Sequence, residues 1–156
     1  MQTNAFPNRY LLVIASGVSL AANTMGTILA LQQNLTADFG GFLNAQNVLR
    51  DVLGINGTAL SAPFPFLLIQ LILTVITIWS GRSAAIGVKG LTFVGALYTV
   101  APLGEPIVWR LIQPGGFDLA QAIILFFALV SSTAMFVFGI RAWQEIRTSI
   151  PVSSLG

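Results

Sequence analysis

The amino-acid sequence predicts an all-α membrane protein, a four-transmembrane-helix bundle with both termini in the cytoplasm and a short amphipathic helix in the first outer loop. Two observations predict this class. Of the 156 residues, 55% are hydrophobic and 8% are charged, whereas about 25% of an ordinary soluble domain is charged. The apolar residues also form four long runs, and about 20 such residues cross a bilayer as a helix. We therefore treat residues 1–156 as a single four-span membrane domain.

Each predicted span is bounded by charged residues, aromatic residues or prolines. We predict spans over residues 10–31, 64–80, 84–103 and 117–140, with outer loops over residues 32–63 and 104–116. The third span has a short uncharged part, so it is extended back past Lys89, whose long side chain reaches toward the membrane surface. All seven prolines lie outside these spans or near their ends, as expected of residues that interrupt helices.

The distribution of charge predicts the orientation of the chain. Five of the seven basic residues fall at the termini or in the loop between the second and third spans: Arg9, Arg82, Lys89, Arg141 and Arg147. Four of the five acidic residues, all except Glu145, fall on the opposite side. Because Lys and Arg are enriched in cytoplasmic loops, we expect both termini in the cytoplasm and the chain in the plasma or inner membrane.

The composition excludes several classes of chemistry. The chain has no cysteine and no histidine, so it lacks the thiolate and imidazole groups of haem, iron–sulfur and most zinc sites. A Ser-His-Asp or Cys-His catalytic group is excluded for the same reason. We expect no metal and no cofactor other than bound lipid. The seven basic residues are scattered, so nucleic acid is not an expected partner.

Residues 41–53 of the first outer loop predict a short amphipathic helix. One face is apolar and includes Phe42, Leu49, Val52 and Leu53, whereas Asp51 belongs to the polar face. Such a helix can lie in the headgroup plane, cover the outer end of the bundle or dock a partner subunit.

The second outer loop and the start of the fourth span hold a candidate outer cluster of Glu105, Arg110 and Asp118. We expect Arg110 to pair with one of the two acids and fix the shape of the loop, and Asp118 to cap the fourth span. An intramembrane enzyme would have to use Glu105 or Asp118 as its acid or base. Because no base is visible beside a serine, we expect no enzyme.

Small residues recur at helical spacing within the spans and predict close contacts between helices. The candidate packing positions are Ala22, Gly26, Ala30, Gly95 and Ser132.

Uncharged polar residues within the spans form a second pattern. Counted from the outer ends of their spans, five of them fall at similar depths in the outer half of the bundle and form a candidate polar layer: Asn23, Gln70, Tyr98, Thr99 and Gln121. Lipid offers no hydrogen bonds, so these side chains should face other helices. They either join the helices or line a small polar cavity open to the outer side.

The functions that remain are those that depend on contacts with other molecules. We expect a non-catalytic accessory, assembly or scaffold subunit, with the lipid bilayer and other membrane subunits or further copies of this chain as partners. The alternative is a small oligomeric transporter or channel that uses the polar layer. The order of spans and loops resembles the topology of claudins, but the tryptophan and cysteine pair of the claudin outer loop are absent, so no function is transferred.

Overall fold

A computed structural model describes residues 7–38, 47–79 and 82–148. The described residues are mainly helical and form no β-strand beyond isolated bridges at Thr36, Thr58 and Ser61. The helices in chain order are α1 (Pro7–Gln33), α2 (Val48–Leu53), α3 (Phe64–Ile78), α4 (Arg82–Val100), α5 (Pro106–Leu111) and α6 (Leu119–Thr148), with a 3₁₀ turn (Ala101–Gly104) between α4 and α5. α1, α3, α4 and α6 form the bundle, and α2 and α5 lie in its connections.

Three of the bundle helices are long and apolar enough to cross a membrane. They are α1 with 27 residues, α4 with its 3₁₀ turn at 23 residues, and α6 with 30 residues. α3 is also apolar but has 15 residues, about 22 Å of helix, which is less than the hydrocarbon thickness of about 30 Å. The prediction of an all-helical protein is confirmed for the described residues, and three of their helices could span a membrane.

The four bundle helices form a closed ring. α1 packs against α3 and α6, and α4 packs against the same two helices. Hydrogen bonds at both ends make α1 and α6 antiparallel: the Asn8 amide donates to the Glu145 carboxylate (2.5 Å), and the Gln121 amide donates to the Gln33 amide oxygen (2.6 Å). We call the end that carries Asn8 and Glu145 the terminal end, and the end that carries α2 and α5 the loop end.

Small residues lie where the helices approach most closely. A Cβ atom on Gly95 of α4 would lie 2.7 Å from the Phe136 backbone nitrogen and 2.8 Å from the Met135 Cβ of α6. Ser132, on the same face of α6, is fully buried. On α1, Ala22 is buried and Ala30 packs against α2. The backbone approach at Gly95 leaves no room for a larger side chain.

The connection between α2 and α3, residues 54–63, folds into the loop end of the bundle, and we call it the inserted loop. Its members Thr58, Ala59 and Leu60 are buried. The Asn23 amide oxygen accepts a hydrogen bond from the Ala62 backbone N–H at 2.9 Å. Asn23 lies ten residues before the end of α1, about 15 Å along the helix. The inserted loop therefore occupies the depth that the short α3 leaves open.

A turn organises the inserted loop. The Thr58 N–H donates to the Ser61 carbonyl at 3.0 Å, and the two hydroxyls share a hydrogen bond of 2.9 Å. Gly57 precedes this turn with a φ of +74°, and a Cβ there would lie 2.8 Å from the Ser61 carbonyl oxygen. A glycine is therefore required at this position. Leu60 packs with Ile107 of α5 and Leu125 of α6, which anchors the loop within the bundle.

We predict that Gly95→Ala lowers the free energy of unfolding by about 1–3 kcal/mol, because the added methyl group overpacks the α4–α6 contact. The measurement is unfolding of the purified protein in mixed micelles with increasing denaturing detergent. Gly17→Ala is the matched control, because Gly17 is an exposed residue of α1 with nothing within 4 Å of an added Cβ. Equal stability of the two variants would contradict the close contact at Gly95.

Candidate functional site

A buried hydrogen-bonded cluster joins α1 and α3 at the centre of the bundle. The Gln70 amide donates to the Ser16 hydroxyl at 3.1 Å and to the Ser16 carbonyl at 3.2 Å. The hydroxyls of Ser16 and Thr74 share a hydrogen bond of 2.7 Å. Gln70 also reaches α6, where its amide lies 3.6 Å from the Met135 sulfur. Ser16 and Gln70 are fully buried, so this cluster links three helices within the interior of the bundle.

The other members of the candidate polar layer bond elsewhere. Asn23 joins α1 to the inserted loop, since its amide nitrogen donates to the Ser19 carbonyl and its oxygen accepts from Ala62. The Thr99 hydroxyl donates to the Gly95 carbonyl at 2.8 Å and lies 3.3 Å from the Ser132 hydroxyl of α6. Gln121 pairs with Gln33 at the loop end. These residues of the layer therefore form hydrogen bonds to separate elements of the structure and not to one another.

Tyr98 forms no side-chain hydrogen bond within the described residues, because its buried hydroxyl has no partner there. The Ser19 hydroxyl and the Gln70 side-chain oxygen share this property. The interior of the bundle therefore retains these three polar atoms without a partner among the described residues.

A cavity of about 230 Å³ lies between the inserted loop and the helices α3, α4 and α6. Asn23 and Tyr98 of the candidate polar layer both line it, and so does Glu105. Most of the remaining lining is apolar, with Phe66, Leu97, Leu125 and Ala128 among its members. The structure therefore brings two of the five layer residues to one cavity, whereas Gln70, Thr99 and Gln121 lie outside its lining.

The three residues of the candidate outer cluster occupy different environments. Glu105 is buried beside the 3₁₀ turn and accepts a hydrogen bond from the Asp38 backbone N–H at 3.3 Å. Asp118 accepts from the Gln121 backbone N–H at 2.9 Å, which is the N-terminal capping position of α6. Arg110 is exposed. Within the described ranges, no group of three or more acidic residues is placed to hold a metal ion.

The predicted amphipathic helix appears as α2, six residues from Val48 to Leu53. Val52 is buried together with Val48 against Ala30 of α1, whereas Leu49 and Leu53 are 58% and 61% exposed. Phe42 lies outside the described residues. α2 therefore covers the loop end with one apolar edge and leaves a second apolar edge uncovered.

Asp51 is buried in α2, although the amphipathic pattern assigns it to the polar face. Its carboxylate accepts from the Asn47 backbone N–H at 3.2 Å and from the Asn56 amide at 3.0 Å, and its backbone carbonyl accepts from Gly57. Asp51 thus holds the start of α2 against the start of the inserted loop. Asn56, whose side-chain amide bonds the carboxylate, is the sequence signal for this arrangement.

Sequence reasoning missed Ser16 and Ser61, which complete the links between α1, α3 and the inserted loop. Ser61 shares a hydrogen bond of 2.8 Å with the Thr27 hydroxyl. Ser16 carried a usable signal, because it lies one helical turn before Ser19 within an apolar span. The structure buries both serines fully. Ser61 carried none, since it lies in a segment without helical periodicity.

We predict that Asn23→Ala loosens the inserted loop, because the Ala62 N–H loses its acceptor. Backbone hydrogen exchange over residues 57–62 should become about two- to tenfold faster, the range that one net hydrogen bond supports. The control is Thr24→Ala, since Thr24 is exposed and bonds only to the Leu20 carbonyl of its own helix. Unchanged exchange in Asn23→Ala would show that other contacts hold the loop.

Comparisons with protein-family models, with curated proteins and with solved structures gave no match. Function is therefore inferred from three features of the chain itself. These are the links between helices, the exposed apolar surface of the loop end and the cavity beside the inserted loop.

Proposed function

We propose that this chain is a four-span integral protein of the plasma or inner membrane and acts as a non-catalytic accessory, assembly or scaffold subunit. The observation that carries the proposal is the use of the buried polar side chains. Gln70, Asn23 and Gln121 each bond a different pair of elements. Such bonds hold helices together in lipid, whereas a transport pathway needs polar groups that face a common space.

The distribution of charge along the bundle supports the orientation. The antiparallel ring places Arg9, Arg82, Arg141 and Arg147 at the terminal end. Lys89 lies further along α4, and its ammonium group stacks over the Trp143 ring at 4.0 Å, a favourable cation–π contact. Because basic residues mark the cytoplasmic side, we propose that the terminal end faces the cytoplasm.

The short α3 is compatible with a fourth span because of the inserted loop. Non-helical backbone is tolerated at membrane depth where protein surrounds it and satisfies its polar groups. The inserted loop has this character, since its backbone bonds to Asn23 and to its own turn at Thr58 and Ser61. α3 and the inserted loop together supply the depth of one full span.

The loop end supplies the proposed contact surface. Leu49 and Leu53 of α2 and the neighbouring Ile55, which is 80% exposed, form an apolar patch. Aliphatic side chains exposed together at the end of a bundle favour contact with another protein surface. We assign this loop-end patch to a partner membrane subunit or to a second copy of the chain.

The topology predicts a specific labelling pattern, which can be read without background because the chain has no native cysteine. Single cysteines are placed at Gln113 and at Thr148, both exposed and at opposite ends of the bundle. A membrane-impermeant maleimide on intact cells should label Gln113→Cys, and should label Thr148→Cys only after permeabilisation. The reverse pattern would overturn the orientation, and labelling of both positions from outside would overturn the four-span topology.

The subunit role predicts that Leu49→Arg with Leu53→Arg releases the chain from a larger complex, because two charges cannot be buried in an apolar contact. Native mass spectrometry after solubilisation in mild detergent measures the fraction bound and the mass of the partner. The matched control is Leu119→Arg, which changes an exposed leucine of α6 near the same end. Wild-type protein that is monomeric when taken from its own membrane would contradict the role.

A further inference from the structure

The cavity beside the inserted loop opens on the side of the bundle. Most of its lining residues are buried or half-buried, but Phe66 of α3 and Leu97 of α4 are exposed. A cavity reaches the surface where its lining side chains are exposed. The opening therefore lies between α3 and α4, with Ile55 of the inserted loop at its outer edge.

The surface around this opening is apolar. Ile69 lies one helical turn after Phe66, Phe93 lies one turn before Leu97, and both are exposed on the same helix faces as these lining residues. In the proposed topology these side chains face the acyl chains of the bilayer. In that topology the opening connects the cavity with lipid. At the loop end, the inserted loop covers the cavity.

The lining favours an apolar occupant. The Asn23 amide is already bonded to Ser19 and Ala62, and the Glu105 carboxylate accepts from the Asp38 N–H. The Tyr98 hydroxyl is enclosed within the bundle and closed to solvent. The remaining surface is largely the carbon of Leu60, Leu125 and Ala128. The volume of about 230 Å³ lies below the range of about 300–1,000 Å³ for pockets that enclose a whole drug-sized ligand. The space therefore suits one segment of a flexible chain.

We propose that this cavity holds part of one acyl chain of a membrane phospholipid, which enters between Phe66 and Leu97. The inserted loop forms the wall on one side of the chain, and Leu125 and Ala128 of α6 form the floor. The inference rests on the membrane insertion given under the proposed function and is independent of the subunit role. It assigns a lipid site within the bundle, distinct from the annular lipid around it.

Photochemical labelling tests the site. The protein is reconstituted in phosphatidylcholine vesicles that contain a small fraction of phosphatidylcholine with a diazirine in the distal half of one acyl chain. After irradiation, mass spectrometry locates the labelled residues. We expect labelling of the inserted loop, Leu97 and Leu125 above the level of the exposed helix surfaces.

A cavity-filling variant makes the labelling specific. Ala128→Phe places a ring in the cavity and should abolish the labelling of the inserted loop and Leu125, while labelling of the outer helix surfaces persists. Ala101→Phe, on the opposite wall, is the second variant if Ala128→Phe does not fold. The control is Ala21→Phe, an exposed position of α1 outside the cavity, which should label as wild type.

Three outcomes would overturn the lipid site. Labelling confined to exposed helix surfaces shows that no acyl chain enters. Labelling of the cavity that Ala128→Phe leaves unchanged shows that the labelled residues are reached from another direction. Labelling by a small charged, water-soluble diazirine, but not by the phospholipid probe, assigns the cavity to a ligand from the aqueous side. Resistance of the reconstituted protein to alkaline extraction establishes insertion separately, so failure of the site is distinguished from failure of the topology.

Discussion

In the proposed topology one constraint governs the inserted loop: a bilayer core has no water, so backbone polar groups there need partners within the protein. The turn between Thr58 and Ser61 and the Asn23 amide of α1 supply such partners. Several features of the loop end depend on this arrangement. α3 begins at Phe64 because the loop occupies the depth above it. Gly26 of α1 lies against the Leu60 carbonyl, where a side chain would clash.

The remainder of the bundle depends on two complementary kinds of contact. Small residues such as Gly95 let helix backbones approach each other, and polar residues such as Gln70 join the helices across the gap. Apolar side chains contribute less to helix association here than in water, because lipid is as apolar as leucine. The close packing and the interhelical hydrogen bonds therefore account for the closed ring of α1, α3, α4 and α6.

The proposed function depends on which polar and apolar groups are not used in contacts within the bundle itself. The polar side chains of the bundle are largely occupied by its own helices, which leaves contact surfaces and the cavity as the features open to other molecules. At the loop end, Val52 of α2 packs against the bundle, whereas Leu49 of the same helix is exposed. At the side, the cavity beside the inserted loop meets the surface between α3 and α4. A subunit contact and a lipid site are consistent with this division.

The sequence by itself determined that the chain belongs to the class of helical membrane proteins. A chain with 8% charged residues and four long apolar runs has few other ways to shield its apolar side chains from water. The sequence also indicated which residues are small or polar within the helices, since helical spacing is a local property. The tertiary structure alone decided the partners of Gln70 and Gln121, the burial of Asp51 and the path of the inserted loop. These depend on contacts between residues distant in sequence, and a segment without periodicity carries no local signal of its depth. The cavity exists only because such a segment, and not a longer α3, fills the loop end of the bundle.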